Sequence, residues 1–172
     1  MKWWPVVVVP VAVLIGYWLC GPQCCERWLW SERLAAATRF APVLGGAGIL
    51  DHETGLVWET GQDPLDREWV IAREVCMDKR IGDRKGWRLP TFNELTSLVD
   101  SSRTNPVLPQ GHPFTGVKNG LYWSATSSAL IASPGTHAVA MDMALGDVSM
   151  VNKTILGSVK CVRGAMAGPT VY

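Results

Sequence analysis

Gly86-Trp87-Arg88-Leu89-Pro90-Thr91-Phe92-Asn93-Glu94-Leu95 reads as the end of a strand, a proline-marked turn and the capped start of a helix. Thr91 and Glu94 stand at the Thr-x-x-Glu spacing of a capping box, in which the hydroxyl accepts from the Glu94 backbone N–H while the Glu94 carboxylate accepts from the N–H of Thr91. Leu95, Leu98 and Val99 then recur at helical spacing, so the helix is predicted to bury one face and run to Asp100. Trp87 and Leu89, two apart, share one face of the preceding strand and leave Arg88 on the other. A strand and a helix are locked together at this point.

Upstream, Ile49-Leu50-Asp51-His52-Glu53-Thr54-Gly55-Leu56-Val57-Trp58 places two apolar runs around a turn that ends in Gly55, a residue able to take a positive φ without steric cost. Asp51 is suited to accept backbone N–H groups within that turn. Asp63-Pro64 has the pattern of an N-cap followed by the first helical position, and Trp69, Ala72, Val75 and Cys76 recur at three- and four-residue steps, predicting a helix that ends before Gly82 and buries Cys76. Downstream, Ser101 to Asn119 carries Pro106, Pro109, Gly111, Pro113 and Gly116 without a sustained period and reads as a long surface loop. Leu121 to Thr126 returns to strand character. His137 to Met143 alternates Ala138, Ala140 and Asp142 against an apolar face of Val139, Met141 and Met143, with Gly146-Asp147 as a turn into Val148 to Val151. Val159 to Arg163 reads as the last strand, and Ala165 to Tyr172 as a disordered tail.

The N-terminal segment has another character. Five of the nine tryptophans lie in the first 30 residues, and no charge occurs from Trp3 to Cys25. A helix from Trp3 to Cys20 would be about 27 Å long, close to the bilayer core of about 30 Å, with Trp3, Trp4, Tyr17 and Trp18 at its ends. Residues 1–25 are read as a membrane anchor or, if cleaved, a signal segment, and residues 26–38 as a linker with amphipathic character through Trp30, Leu34 and Ala37. Lys2 before the span and Arg27, Arg33 and Arg39 after it give no clean orientation.

The formal net charge of +1 argues against a nucleic-acid partner. Cys76 and Cys161 belong to no Cys-x-x-Cys pair, Asp51 and Glu53 lack further carboxylates at ligand spacing, and His52, His112 and His137 stand apart, so no metal, cofactor or catalytic set is expected. Trp58, Trp69, Trp87 and Trp123 are core candidates, and Arg88 and Arg163 are read as members of structural ion pairs with Glu94, Asp100 or Asp142.

Leu50-Asp51 with Glu53 to Trp58, Gly86 to Thr91 with Glu94-Leu95, His112-Pro113-Phe114, Tyr122-Trp123-Ser124-Ala125-Thr126 and Cys161-Val162-Arg163-Gly164 occur in one order over residues 39–164. In this set the chain resembles a bacterial family first described as a domain of unknown function and now named after the C-terminal domain of the Legionella collagen-like protein. The resemblance implies an α+β, C-type-lectin-like domain with two helices, a small mixed or antiparallel sheet whose first and last strands pair, and long loops that carry the ligand. It also implies a bridge between Cys76 on the first helix and Cys161 on the last strand, and hence an exported domain held in the bacterial inner membrane or secreted. The calcium-dependent lectins' Glu-Pro-Asn and Trp-Asn-Asp motifs are absent, so a calcium-sugar site is not inherited. The expected function is a non-catalytic recognition module in which the loop with Arg103, His112, Lys118 and Asn119, and the segment 127–136, bind a glycan or protein. The alternatives are an enzyme or accessory related to the lectin-like oxidase that modifies sulfatases, or a structural component of an envelope assembly.

Overall fold

The computed structural model describes residues 34–127 and 135–166. The expected anchor, the linker residues before Leu34, most of the segment 127–136 and the end of the tail lie outside the described residues. Among the described residues no helix is long and apolar enough to cross a membrane.

The domain is α+β with two small antiparallel sheets. The first has the order β1 (Phe40–Val43), β2 (Gly48–Asp51), β3 (Val57–Glu59), β7 (Val162–Arg163), and the second the order β4 (Leu121–Ser127), β5 (His137–Asp142), β6 (Val148–Asn152). The helices are α1 (Ala36–Arg39), α2 (Trp69–Asp78) and α3 (Phe92–Ser97). The hairpin of β2 and β3 is as the sequence predicts: Gly55 takes φ 72° and its N–H donates to Asp51 O at 2.8 Å, while Asp51 Oδ1 accepts from the Glu53 N–H at 3.0 Å.

The capping box on α3 forms in full. Thr91 N donates to Glu94 Oε2 at 2.7 Å, and Glu94 N donates to Thr91 Oγ1 at 3.3 Å. The helix stops at Ser97, short of Asp100, because Leu98 and Val99 close a tighter turn onto Leu95 O and Thr96 O. Trp87 and Leu89 are buried, and Arg88 on the opposite face makes a bidentate pair with Glu94 at 2.7 Å for both bonds. Arg88 also donates to Gly164 O at 2.7 Å, and its backbone forms a two-way bridge with Val162. Burial pulls the Glu94 carboxyl upward, but the hydrogen bonds from Arg88 and Thr91 outweigh it and hold it below the usual carboxylate range.

Several expectations are corrected. Asp63-Pro64 does not open a helix: Asp63 Oδ1 accepts from Leu65 N at 2.8 Å, a local turn that uses the same chemistry as an N-cap. Helix α2 begins six residues later, where the Trp69 N–H finds Lys153 O at 3.0 Å, and it ends at Asp78 with Lys79 extended. The last strand pairs with β3 and not with the first strand; β1 forms the outer edge, where Pro42 needs no ladder donor on its open side. In β5 both faces are covered, since Ala138 and Ala140 are as deeply buried as Met141, because the small residues let the sheet approach Trp69 and Trp123. Arg163 makes no ion pair among the described residues and donates instead from Nε to Lys85 O at 2.9 Å. Of the amphipathic segment only Ala36–Arg39 is a described helix, and Arg39 is wholly buried. Met166, at the start of the expected disordered tail, packs against the core.

Two clusters make up the core. One gathers Phe40, Ile49, Leu56, Trp58, Leu95, Leu98, Phe114 and Tyr122, and the other gathers Trp69, Cys76, Trp87, Trp123 and Cys161. Cys76 and Cys161 are bridged, as the resemblance implies, and tie α2 to the last segment across 85 residues.

Removing the bridge as Cys76→Ser with Cys161→Ser is expected to lower unfolding free energy by about 4.5 kcal/mol on chain-entropy grounds, read by urea denaturation. Arg88→Ala leaves a buried carboxylate without its guanidinium and is expected to cost roughly 2–4 kcal/mol, allowing for the half-exposed arginine. If that variant keeps its melting temperature, the pair is not structural.

Candidate functional site

The loop from residue 101 to 119 is irregular, but it is fastened along its length. Asn105 N donates to Ala144 O at 2.9 Å, Val107 N to Met143 O at 2.9 Å, Thr115 N to Thr60 O at 2.9 Å and Lys118 N to Tyr122 Oη at 2.9 Å. Val107, Leu108 and Phe114 project inward and are buried, so the prolines and glycines route a fixed loop over the core. Its outer side chains are therefore held on a scaffold, as a binding loop requires.

Beneath the loop stands Lys160, a residue that sequence reading passed over as part of a strand. It is 4% exposed. Its ammonium donates to Gly61 O at 2.7 Å and Thr60 O at 3.3 Å and lies 4.5 Å from the centre of the Phe114 ring. Phe114 in turn stacks on His112, with centroids 5.8 Å apart. Gln62, Tyr122, Val117 and Met143 join Lys160 and Phe114 around a crevice with space of 10 Å³ for a water centre, room for one water. Nearby Glu59 is buried, accepts from Cys161 N at 2.6 Å and pairs with Lys79.

The standing positive charge of this corner is Arg103, which acts on His112. Burial holds the Lys160 ammonium down to about 7 against the pull of Glu59, and the charge of Lys79 pushes the same way as burial. The His112 imidazole is lowered by burial and then by the charges of Lys160 and Arg103. His112 Nδ1 and Gln62 Nε2 are buried without hydrogen-bond partners among the described residues. Burial raises the Tyr122 phenol, whose hydroxyl donates to Gln62.

Of the four loop residues singled out from the sequence, Arg103 and His112 lie near enough for the arginine's charge to act on the imidazole. Arg103 reaches Gln110 Oε1 at 3.3 Å and makes no ion pair among the described residues. Lys118 is turned away to Asp66 at 2.9 Å and Pro64 O at 3.0 Å, and the hydrogen bonds from Lys118 and Ser158 hold Asp66 below the usual carboxylate range. Asn119 is exposed at the end of the loop. Among the described residues no group of three or more His, Cys, Asp or Glu could hold a metal ion.

A second hollow, of about 200 Å³, lies between α2 and β4, lined by Arg73, Met77, Arg88, Leu89 and Ala125. Its Arg88 guanidinium is already committed to Glu94 and Gly164 O.

The buried Lys160 ammonium links folding to protonation. Its folded value lies below that of the unfolded chain, so the unfolded state binds the proton more tightly and protonation opposes folding. The domain should therefore gain stability as pH rises from about 7 towards 10, and Lys160→Met should remove that slope, whatever its constant offset. Urea midpoints across this range decide it; an unchanged slope would mean that Lys160 titrates normally.

Residues 47–163 match the family described as Lcl C-terminal domain. No curated protein matches the chain.

Proposed function

The chain belongs to the Lcl C-terminal domain family, and from that premise we propose that it is a non-catalytic recognition module. It binds a glycan or protein ligand through the outer side of the loop 101–119. In this reading the two-sheet domain is a variant of the C-type-lectin-like fold, carried outside the cytoplasm in the cell envelope or secreted. A disulfide between two sequence-distant, buried cysteines supports export, since such bridges persist in oxidising compartments.

The observation that carries the proposal is the pinned loop with its cationic corner. An irregular stretch of this length is ordered by buried Val107, Leu108 and Phe114, so its outer groups meet a ligand without first having to be immobilised. Arg103 reaches a neutral partner in Gln110, makes no ion pair among the described residues, and acts on His112 as a positive charge. A carboxylate, sulfate or phosphate on a glycan, or an acidic side chain on a protein, complements that corner. Lys118, held by Asp66, serves the scaffold.

A glycan array probed with the full chain tests this. Acidic glycans should be retained, and Arg103→Ala should weaken retention by about tenfold or more, the loss of one charge-assisted contact. Lys118→Ala should alter binding little. Retention independent of Arg103, or absent on acidic glycans and acidic proteins alike, would sink the proposal.

A further inference from the structure

The hollow of about 200 Å³ between α2 and β4 is walled by three segments, and no residue of the loop 101–119 lines it. Along α2, Trp69, Arg73 and Met77 follow at four-residue steps and so form a single row on the helix surface. The row is anchored at Trp69, which is buried and whose Nε1 donates to Ser124 O of β4 at 2.8 Å. One residue on, Ala125 N donates to Pro90 O at 2.6 Å and ties β4 to the segment that carries Arg88 and Leu89. Ala125 contributes only a methyl group to the wall, so the space that a longer side chain would take remains open.

Of the two guanidiniums on the wall, that of Arg88 is engaged. Its Nη1 donates to Glu94 Oε2 and Leu89 O, and its Nη2 to Glu94 Oε1 and Gly164 O, which uses all four terminal N–H bonds and neutralises its charge. Arg73 is different. It is exposed, its guanidinium lies 4.8 Å from the centre of the Trp69 ring, and it makes no hydrogen bond and no ion pair among the described residues. An aromatic face holds a guanidinium in place while leaving its fork of N–H groups free for an acceptor.

The wall sets the class of ligand. Its side chains offer guanidinium donors and apolar surface, and no oxygen that could accept from a hydroxyl or an amine. A sugar or a cation therefore finds no acceptor among these side chains, whereas an anion attached to an apolar body is matched at both ends. Met77 is 54% exposed, so such a body would take its surface out of water. The volume lies below the roughly 300–1,000 Å³ of a site for a drug-sized molecule, so the ligand is small. We propose that the hollow binds a small monocarboxylate, with its carboxylate paired to Arg73 and its aliphatic or aromatic body against Met77, Leu89 and Ala125. One negative charge answers the one unpaired guanidinium, and the planar carboxylate accepts two parallel bonds from it.

The test uses the full chain in detergent with isotope-labelled methionine methyl groups, because Met77 lines the hollow while Met143 and Met150 lie elsewhere. Benzoate should move the Met77 resonance saturably, with a dissociation constant on the order of 1 mM, and leave those of Met143 and Met150 in place. Benzamide, of the same shape without the charge, should bind about tenfold more weakly or worse. Arg73→Gln should bring benzoate to the level of benzamide and leave benzamide unaffected. Ala125→Phe, which fills the hollow, should abolish both; Arg73→Gln alters only an exposed side chain and tests the site even if the filled variant does not fold. No saturable movement of Met77, equal binding of benzoate and benzamide, benzoate binding indifferent to Arg73→Gln, or binding that survives in a folded Ala125→Phe chain would each overturn the proposal.

Discussion

The two sheets share one strip of backbone, the segment from Gly157 to Arg163, and the architecture depends on it. At its start Gly157 exchanges hydrogen bonds with Arg67, at 2.8 and 2.9 Å, and Ser158 bridges Leu121 and Trp123 of the second sheet. Farther along, Cys161 O accepts from Glu59 N at 3.1 Å, and Val162 pairs with Trp58 on one side and Arg88 on the other. The disulfide adds α2 to the same strip. Gly157 stands where a β-carbon would come within 2.9 Å of Trp123 Nε1, so the backbone reaches the tryptophan only because no side chain intervenes.

Around this strip the charged groups in the interior are all engaged, and each engagement also satisfies backbone. Arg39 donates to both oxygens of Asp51, at 2.9 and 2.7 Å, and to Ser97 O at 2.8 Å, so it joins the hairpin to the end of α3. Arg88 holds Glu94 while Glu94 completes the helix cap. Glu59 holds Lys79 and the Cys161 N–H together. Pairs of this kind add little net stability over an apolar core, but they are directional, and breaking one leaves an uncompensated charge. Lys160 is the exception in kind. Its partners are carbonyls and an aromatic face, with no carboxylate bonded to it among the described residues, so burial holds its ammonium down to about 7.

The parts legible in the sequence were those whose physics is local. The capping box of Thr91 and Glu94, the turn at Gly55 and the buried face of α2 each follow from spacing within about one turn of chain. The Asp63-Pro64 pair misled because an aspartate that accepts a nearby N–H looks the same whether a helix follows or not; α2 starts where Lys153, distant in the chain, supplies a carbonyl. The pairing of Arg88 with Glu94 could be anticipated from their nearness, whereas the pairing of Lys118 with Asp66 spans 52 residues and could not. Lys160 carried no signal beyond its place in an apolar strand pattern, where a lysine reads as the solvent-facing residue.

By itself the sequence determined the local elements, the loop over residues 101–119 and, through an ordered set of motifs, the family. These depend on φ preferences, caps and side-chain periods that act between near neighbours. Only the tertiary structure decided which cations of that loop are paired, that Lys160 lies beneath it, and that β6 is the outer strand of its sheet. Each of those is a matter of what a residue meets across the fold. Burial, hydrogen-bond partners and free strand edges are set by contacts between segments far apart in the chain, and no local spacing encodes them.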